Sequence, residues 1–188
     1  MNISGKNFAA MMTLLSFVLY IFTDIVELMQ SGFSGIQLIL TYSAMAGPAI
    51  FLTLAGYSCS ASLRIIYNVS IFLISLSFVF FSGTAVYAFG GTVSDYGAVI
   101  SGLGAIYYAH GFFLTVGCFL LSFVLFKDGK LVKAVPLLFL LSSVIAASAG
   151  IAGLHENYYI AANFIRNTAF AVFSFKMITR NSLPDNIS

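Results

Sequence analysis

Asp24 and Glu27 stand three residues apart in an otherwise apolar stretch, so on a helix they share one face. Two carboxylates on one face repel unless they share a proton or find a cation. Arg166 is the one basic residue deep inside an apolar stretch, and it continues a polar stripe of Tyr159, Asn163 and Arg166 at helical spacing. An Arg166 contact with Asp24 or Glu27 is therefore expected. Tyr107 and His110 make a similar polar pair on another apolar stretch, and His155 and Glu156 form a short polar break between two more. A guanidinium recognises carboxylate or phosphate through paired hydrogen bonds, so this set suits a polar-lined pocket for a lipid head group or a small organic molecule, walled by Phe and Tyr.

Metal chemistry is the first alternative. His110 and His155 with Asp24 or Glu27 would form a two-His-one-carboxylate set of the kind zinc or iron accepts. No local spacing signals it: His155 opens the run HENYY, not HExxH. A bis-His haem would need His110 and His155 at one depth, and helix rise separates them by about 8 Å. No motif marks a Ser or Cys nucleophile. No cofactor is expected from these residues, with zinc or iron kept for the metalloenzyme alternative.

The elements that must position these groups are membrane spans. Charged residues make up 7% of the 188 residues and the mean hydropathy is +1.01. That is too little charge to cover a water-facing surface, given roughly 25% in soluble domains, so lipid is the expected solvent. Six windows are long enough to span, at about 8–29, 36–58, 65–89, 105–126, 131–154 and 157–178. The fold class expected is an all-α bundle of six transmembrane helices in a single domain, 1–188. The first window lacks a small-residue cleavage site and reads as a retained span rather than a signal peptide. Residues 90–104 are glycine-rich and form a loop or a re-entrant turn. Gly47-Pro48 should kink the second span, and Ala146/Gly150 and Ala149/Gly153 give close-packing pairs in the fifth.

Basic residues set the orientation. Lys6, Arg64, Lys127, Lys130, Lys133, Lys176 and Arg180 fall in alternate connections or at the termini, and the other three loops carry no Lys or Arg. Cytoplasmic loops are the basic ones, so both termini should lie inside. Asp24, Glu27, Asp95, His110, His155, Glu156 and Arg166 then fall in the outer half, with Arg166 about 14 Å deep. The inner half reads as apolar and closed by ordinary basic loops. Cys59 and Cys118 lie in apolar stretches without CxxC spacing and read as small packing residues. A net charge of +2 with no basic run gives no reason to expect a nucleic-acid partner.

The stretch 105–153, with Gly111, Gly117, Lys127, Lys130 and Lys133, resembles the fourth and fifth spans of a group of uncharacterised six-span bacterial membrane proteins. Here Val132-Lys133 follows the basic turn and Pro136 comes later than in that group. The resemblance implies fold and topology only, in a bacterial inner membrane. In architecture the chain is also similar to the substrate-binding components of energy-coupling-factor transporters, in which a small-residue strip on the first span docks the partner; Ala9, Thr13 and Ser16 would be that strip.

The leading expectation is an outward-facing site for a lipid-like or small organic ligand, possessing Asp24, Glu27, Tyr107, His110, Tyr159, Asn163 and Arg166 and serving transport. The alternatives are a metal-dependent enzyme acting on lipid, and a non-catalytic anchor or sensor subunit with a partner membrane subunit or a second copy of itself. An ion channel is disfavoured because the inner half offers little polar path; the Asp24–Glu27 pair suits a proton-coupled carrier better.

Overall fold

The first helix carries most of its large apolar side chains on the outside, Phe17 being the buried exception. Phe8, Met11, Leu15, Val18, Phe22, Ile25 and Met29 recur at three- and four-residue steps and all face outward, Phe22 at 63% and Met29 at 81% exposure. Ala9, Ala10, Thr13, Ser16, Thr23 and Asp24 face inward and are buried. Water would reverse that pattern; a hydrocarbon solvent explains it, because lipid tails accept Phe and Met while backbones approach closely only over small residues.

The computed structural model describes residues 5–30, 36–90, 102 and 104–181, except the side chains of residues 27, 30, 36–45, 84–90, 107, 156 and 181. Among the described residues are six α-helices and no strand: α1 (Gly5–Gln30), α2 (Ile36–Ala55), α3 (Arg64–Gly90), α4 (Ala105–Asp128), α5 (Ala134–Ala152) and α6 (Glu156–Asn181), with a 3-10 turn at Ala61–Leu63. Four described segments are long and apolar enough to cross a membrane: Gly5–Val26, Ala61–Gly83, Tyr108–Asp128 and Ala134–Ala152. The described apolar part of α2 is Ala46–Ala55. α6 falls short of that apolarity because Asn157, Asn163, Arg166 and Asn167 interrupt it.

Each helix packs against its neighbours in the chain, and α6 returns to α1, closing a ring. Short connections make neighbours antiparallel. α4 and α5 end at Gly129 (φ 66°) and Gly153 (φ 62°), whose left-handed backbones let their N–H groups bond the carbonyls of Leu125 and Ala149. Gly153 thus terminates α5 instead of serving as a packing partner of Ala149. The middle of the ring is filled: Phe17 stacks on Phe170 with centroids 4.7 Å apart, and Phe139 meets Phe170 edge-on at the same distance.

Two close approaches fix helix spacing. Gly117 of α4 lies against Ile74 and Ser70 of α3, and the Ser70 hydroxyl donates to the Gly117 carbonyl at 2.9 Å. Thr13 of α1 and Thr53 of α2 bring their hydroxyls within 2.8 Å. The strip Ala9, Thr13, Ser16 is therefore turned into its own bundle and offers no outer docking surface. Seven of the eight basic residues sit at one end of the ring, formed by the start of α1, α3 and α5 and the end of α2, α4 and α6. Arg166 is the eighth, in the opposite half. Residues 91–101 and 103, and with them Asp95, lie outside the described residues.

Candidate functional site

The inward stripe of α6 runs Ile160, Asn163, Asn167, Phe170, Ser174, Met177, a seven-residue repeat of alternating three- and four-residue steps. Asn167 occupies its middle and is 4% exposed. Its side-chain amide donates to Asp24 Oδ2 at 2.7 Å, a bond between α1 and α6 buried on both sides. Arg166, one residue earlier, is rotated about 100° off that stripe. Its Nη2 donates to Asn163 Oδ1 at 2.6 Å, and its positive charge acts on Asp24, on His110 and on Cys118. The hydrogen bond to Asp24 comes from Asn167, not from Arg166, and the Glu27 side chain, the other expected partner of Arg166, lies outside the described residues.

His110 of α4 turns toward α3. Its Nδ1–H donates to the Ser77 carbonyl oxygen at 2.9 Å, and its ring stacks on Phe81 with centroids 4.5 Å apart. A carbonyl can only accept, so in the neutral ring the proton is on Nδ1 and the lone pair on Nε2. Asp24, Asn163, Arg166, Asn167 and His110 thus gather in one half of the ring, the half that holds the end of α1 and the starts of α4 and α6.

Tyr159 and His155 make their contacts elsewhere. The Tyr159 hydroxyl lies against Gly150 of α5, 3.6 Å from where a Cβ there would stand. His155 is exposed in the α5–α6 turn, and its Nδ1 accepts from the Asn157 backbone N–H at 3.3 Å, a local helix-start contact. No group of three His, Cys, Asp or Glu able to hold a metal ion occurs among the described residues. The side chains of Glu27, Tyr107 and Glu156 lie outside them. Cys59 and Cys118 are buried free thiols.

Sequence reasoning missed Asn167, although it directly follows Arg166. A stripe drawn at three- and four-residue steps from Arg166 skips it, and only the inward repeat from Ile160 selects it. The basic end was also read too plainly as a closed loop region. There Asp128 at the end of α4 accepts from the Tyr57 hydroxyl at 2.6 Å and the Ser60 backbone N–H at 2.9 Å, and lies 3.4 Å from Lys130 Nζ. Lys130 also donates to the Ser58 carbonyl at 2.9 Å. This latch ties the α2–α3 connection to α4. Burial, and then the bond to the Asp128 carboxylate, push the Tyr57 hydroxyl above the usual phenol range. Beside it a cleft of about 600 Å³ opens between α1, α2 and α3. Comparison with family models, curated proteins and solved structures finds no match to this chain.

Proposed function

We propose that the chain is a multi-pass protein of a bacterial inner membrane, six-spanning with both termini in the cytoplasm, that holds a lipid-like or small organic ligand at an outward-facing polar site between α1, α4 and α6. One observation supports the reading: Asp24 of α1, Arg166 of α6 and His110 of α4 interrupt the apolar bundle in the same half of the ring, with Asp24 buried and bonded by Asn167. Placing each charge at such a depth costs on the order of 2.5–3.5 kcal/mol on insertion scales, which is why ionisable residues inside a membrane mark functional sites. Arg166 would bind the ligand's carboxylate or phosphate, and His110 Nε2 would accept a hydrogen bond from it.

The test is native mass spectrometry of the full chain in mild detergent. A bound small molecule or lipid that is lost from Arg166→Gln, with unfolding temperature unchanged, supports the site. Identical bound species in wild type and Arg166→Gln overturn it. A second reading, a non-catalytic subunit whose polar groups fix helix register, is favoured by the Asn167–Asp24 bond, which closes the ring without any ligand. It expects a bare protein, or one that arrives only with a partner subunit.

A further inference from the structure

The cleft at the basic end has a composition unlike the polar cluster in the other half. Lys6 from the start of α1 and Arg64 from the start of α3 line it, and among the described residues no Asp or Glu does. The nearby Asp128 is committed to Tyr57, Ser60 and Lys130. Among the described residues neither the Lys6 nor the Arg64 side chain bonds a protein acceptor. The stem of Lys6 rests over Gly56, with its Cδ 4.0 Å from where a Cβ on Gly56 would stand.

Away from the cations the cleft becomes apolar. Phe51 of α2 and Ile71 and Phe72 of α3 line it, and Phe72 is 64% exposed on the surface that faces hydrocarbon. Ser75 also lines it, about 16 Å further along α3 than Arg64 at 1.5 Å per residue. Its hydroxyl is buried and has no hydrogen-bond partner among the described residues. A soluble anion needs the two cations but not the apolar walls that open sideways. A phospholipid needs both.

We propose that this cleft binds the phosphate of an anionic phospholipid, with Lys6 and Arg64 on the head group and the chains running between Phe51 and Phe72. Among the described residues no carboxylate lines the cleft to pair with a choline or ethanolamine ammonium, so a preference for net-anionic lipids follows.

The experiment uses the full chain in detergent, titrated with phosphatidylglycerol and with phosphatidylcholine of the same chains, and reads bound lipid by native mass spectrometry. The wild type should retain phosphatidylglycerol preferentially. Lys6→Gln with Arg64→Gln should weaken that retention about thirtyfold, from roughly one basic-residue contribution each at a membrane surface. Both residues are exposed, so the fold should survive, which the unfolding temperature checks. Arg64→Lys should restore part of the loss, since the point charge remains. Equal retention of the two lipids, or a double variant that binds like the wild type, overturns the proposal. A third arm adds inorganic phosphate: binding of phosphate with no lipid preference would assign the same cations to a free anion and overturn the lipid. The loss caused by Lys6→Gln with Arg64→Gln should be the same size in an Arg166→Gln background, so the two sites are tested apart.

Discussion

Replacing Gly117 by alanine would place a methyl carbon 2.7 Å from Ile74 Cγ1, 3.1 Å from the Ile74 backbone nitrogen and 3.2 Å from the Ser70 carbonyl oxygen. Two of those three neighbours are backbone, so a rotamer change of Ile74 cannot relieve the contact; α3 and α4 must separate by several tenths of an ångström. Overpacking of this kind costs about 1–3 kcal/mol. Separation also stretches the Ser70 hydroxyl bond to the Gly117 carbonyl, worth about 0.5–1.5 kcal/mol. Against this, alanine in a helix interior gains roughly 0.5–1 kcal/mol over glycine. The net expectation is a loss of about 1–3 kcal/mol, or roughly 2–12 °C in Tm for a chain of this size. Gly111 sits on the same helix with open space around its Cβ position, and Gly111→Ala should be neutral or stabilising. Thermal unfolding of both variants in one detergent removes the medium from the comparison. Adding Ile74→Ala to Gly117→Ala removes the shortest contact and should cost less than Ile74→Ala costs alone, a coupling a double-mutant cycle reads directly. If Gly117→Ala is as stable as Gly111→Ala, the close α3–α4 approach is wrong.

Asn167→Leu should destabilise by about 1.5–3 kcal/mol, because it removes a charge-type hydrogen bond from buried Asp24; Asp24→Leu with Asn167→Leu should recover most of it, read by the same unfolding assay. Gly153→Ala forces a left-handed backbone on a residue with a Cβ and should cost about 1–2 kcal/mol, again seen as a lower Tm. Tyr57 is held protonated above the ordinary phenol range, so its share of stability is complete below about pH 10 and declines as pH rises further. Tyr57→Phe should lower Tm at pH 8 and flatten the decline above pH 10, measured as Tm against pH.

Helix limits were legible because an apolar run of spanning length leaves few ways to satisfy a backbone other than helix. The window 105–126 became Ala105–Asp128, and 36–58 became Ile36–Ala55, shortened where Gly56-Tyr57-Ser58 turns to meet Asp128. Face assignment was harder. In water, apolarity marks the inside; here Phe8 and Ala9 differ in size more than in polarity, and size decides which faces the bundle. The polar cluster was legible as residue types in one half of the ring, since Asp24, His110 and Arg166 interrupt apolar runs. Which nitrogen bonds Asp24 was not, because a one-residue step around α6 exchanges Arg166 for Asn167. His155 was misleading for the opposite reason: its polarity serves the turn it sits in. The cleft at the basic end left little trace, since Lys6 and Arg64 read as ordinary loop charges until Asp128 is seen to be occupied elsewhere.

Closure of the ring by α1 and α6 also sets a timetable. Asp24 and the amide that bonds it are 143 residues apart. At 5–20 residues per second, synthesis needs roughly 7–30 s to deliver Asn167 after Asp24 has emerged. Through that interval the first helix has its lipid face complete and its polar face without the helix that will cover it. The nascent bundle is an open arc whose exposed edge carries a carboxylate. Any chain released before α6 is made keeps that edge, which marks it as unfinished to whatever machinery inspects unassembled helices in a bilayer.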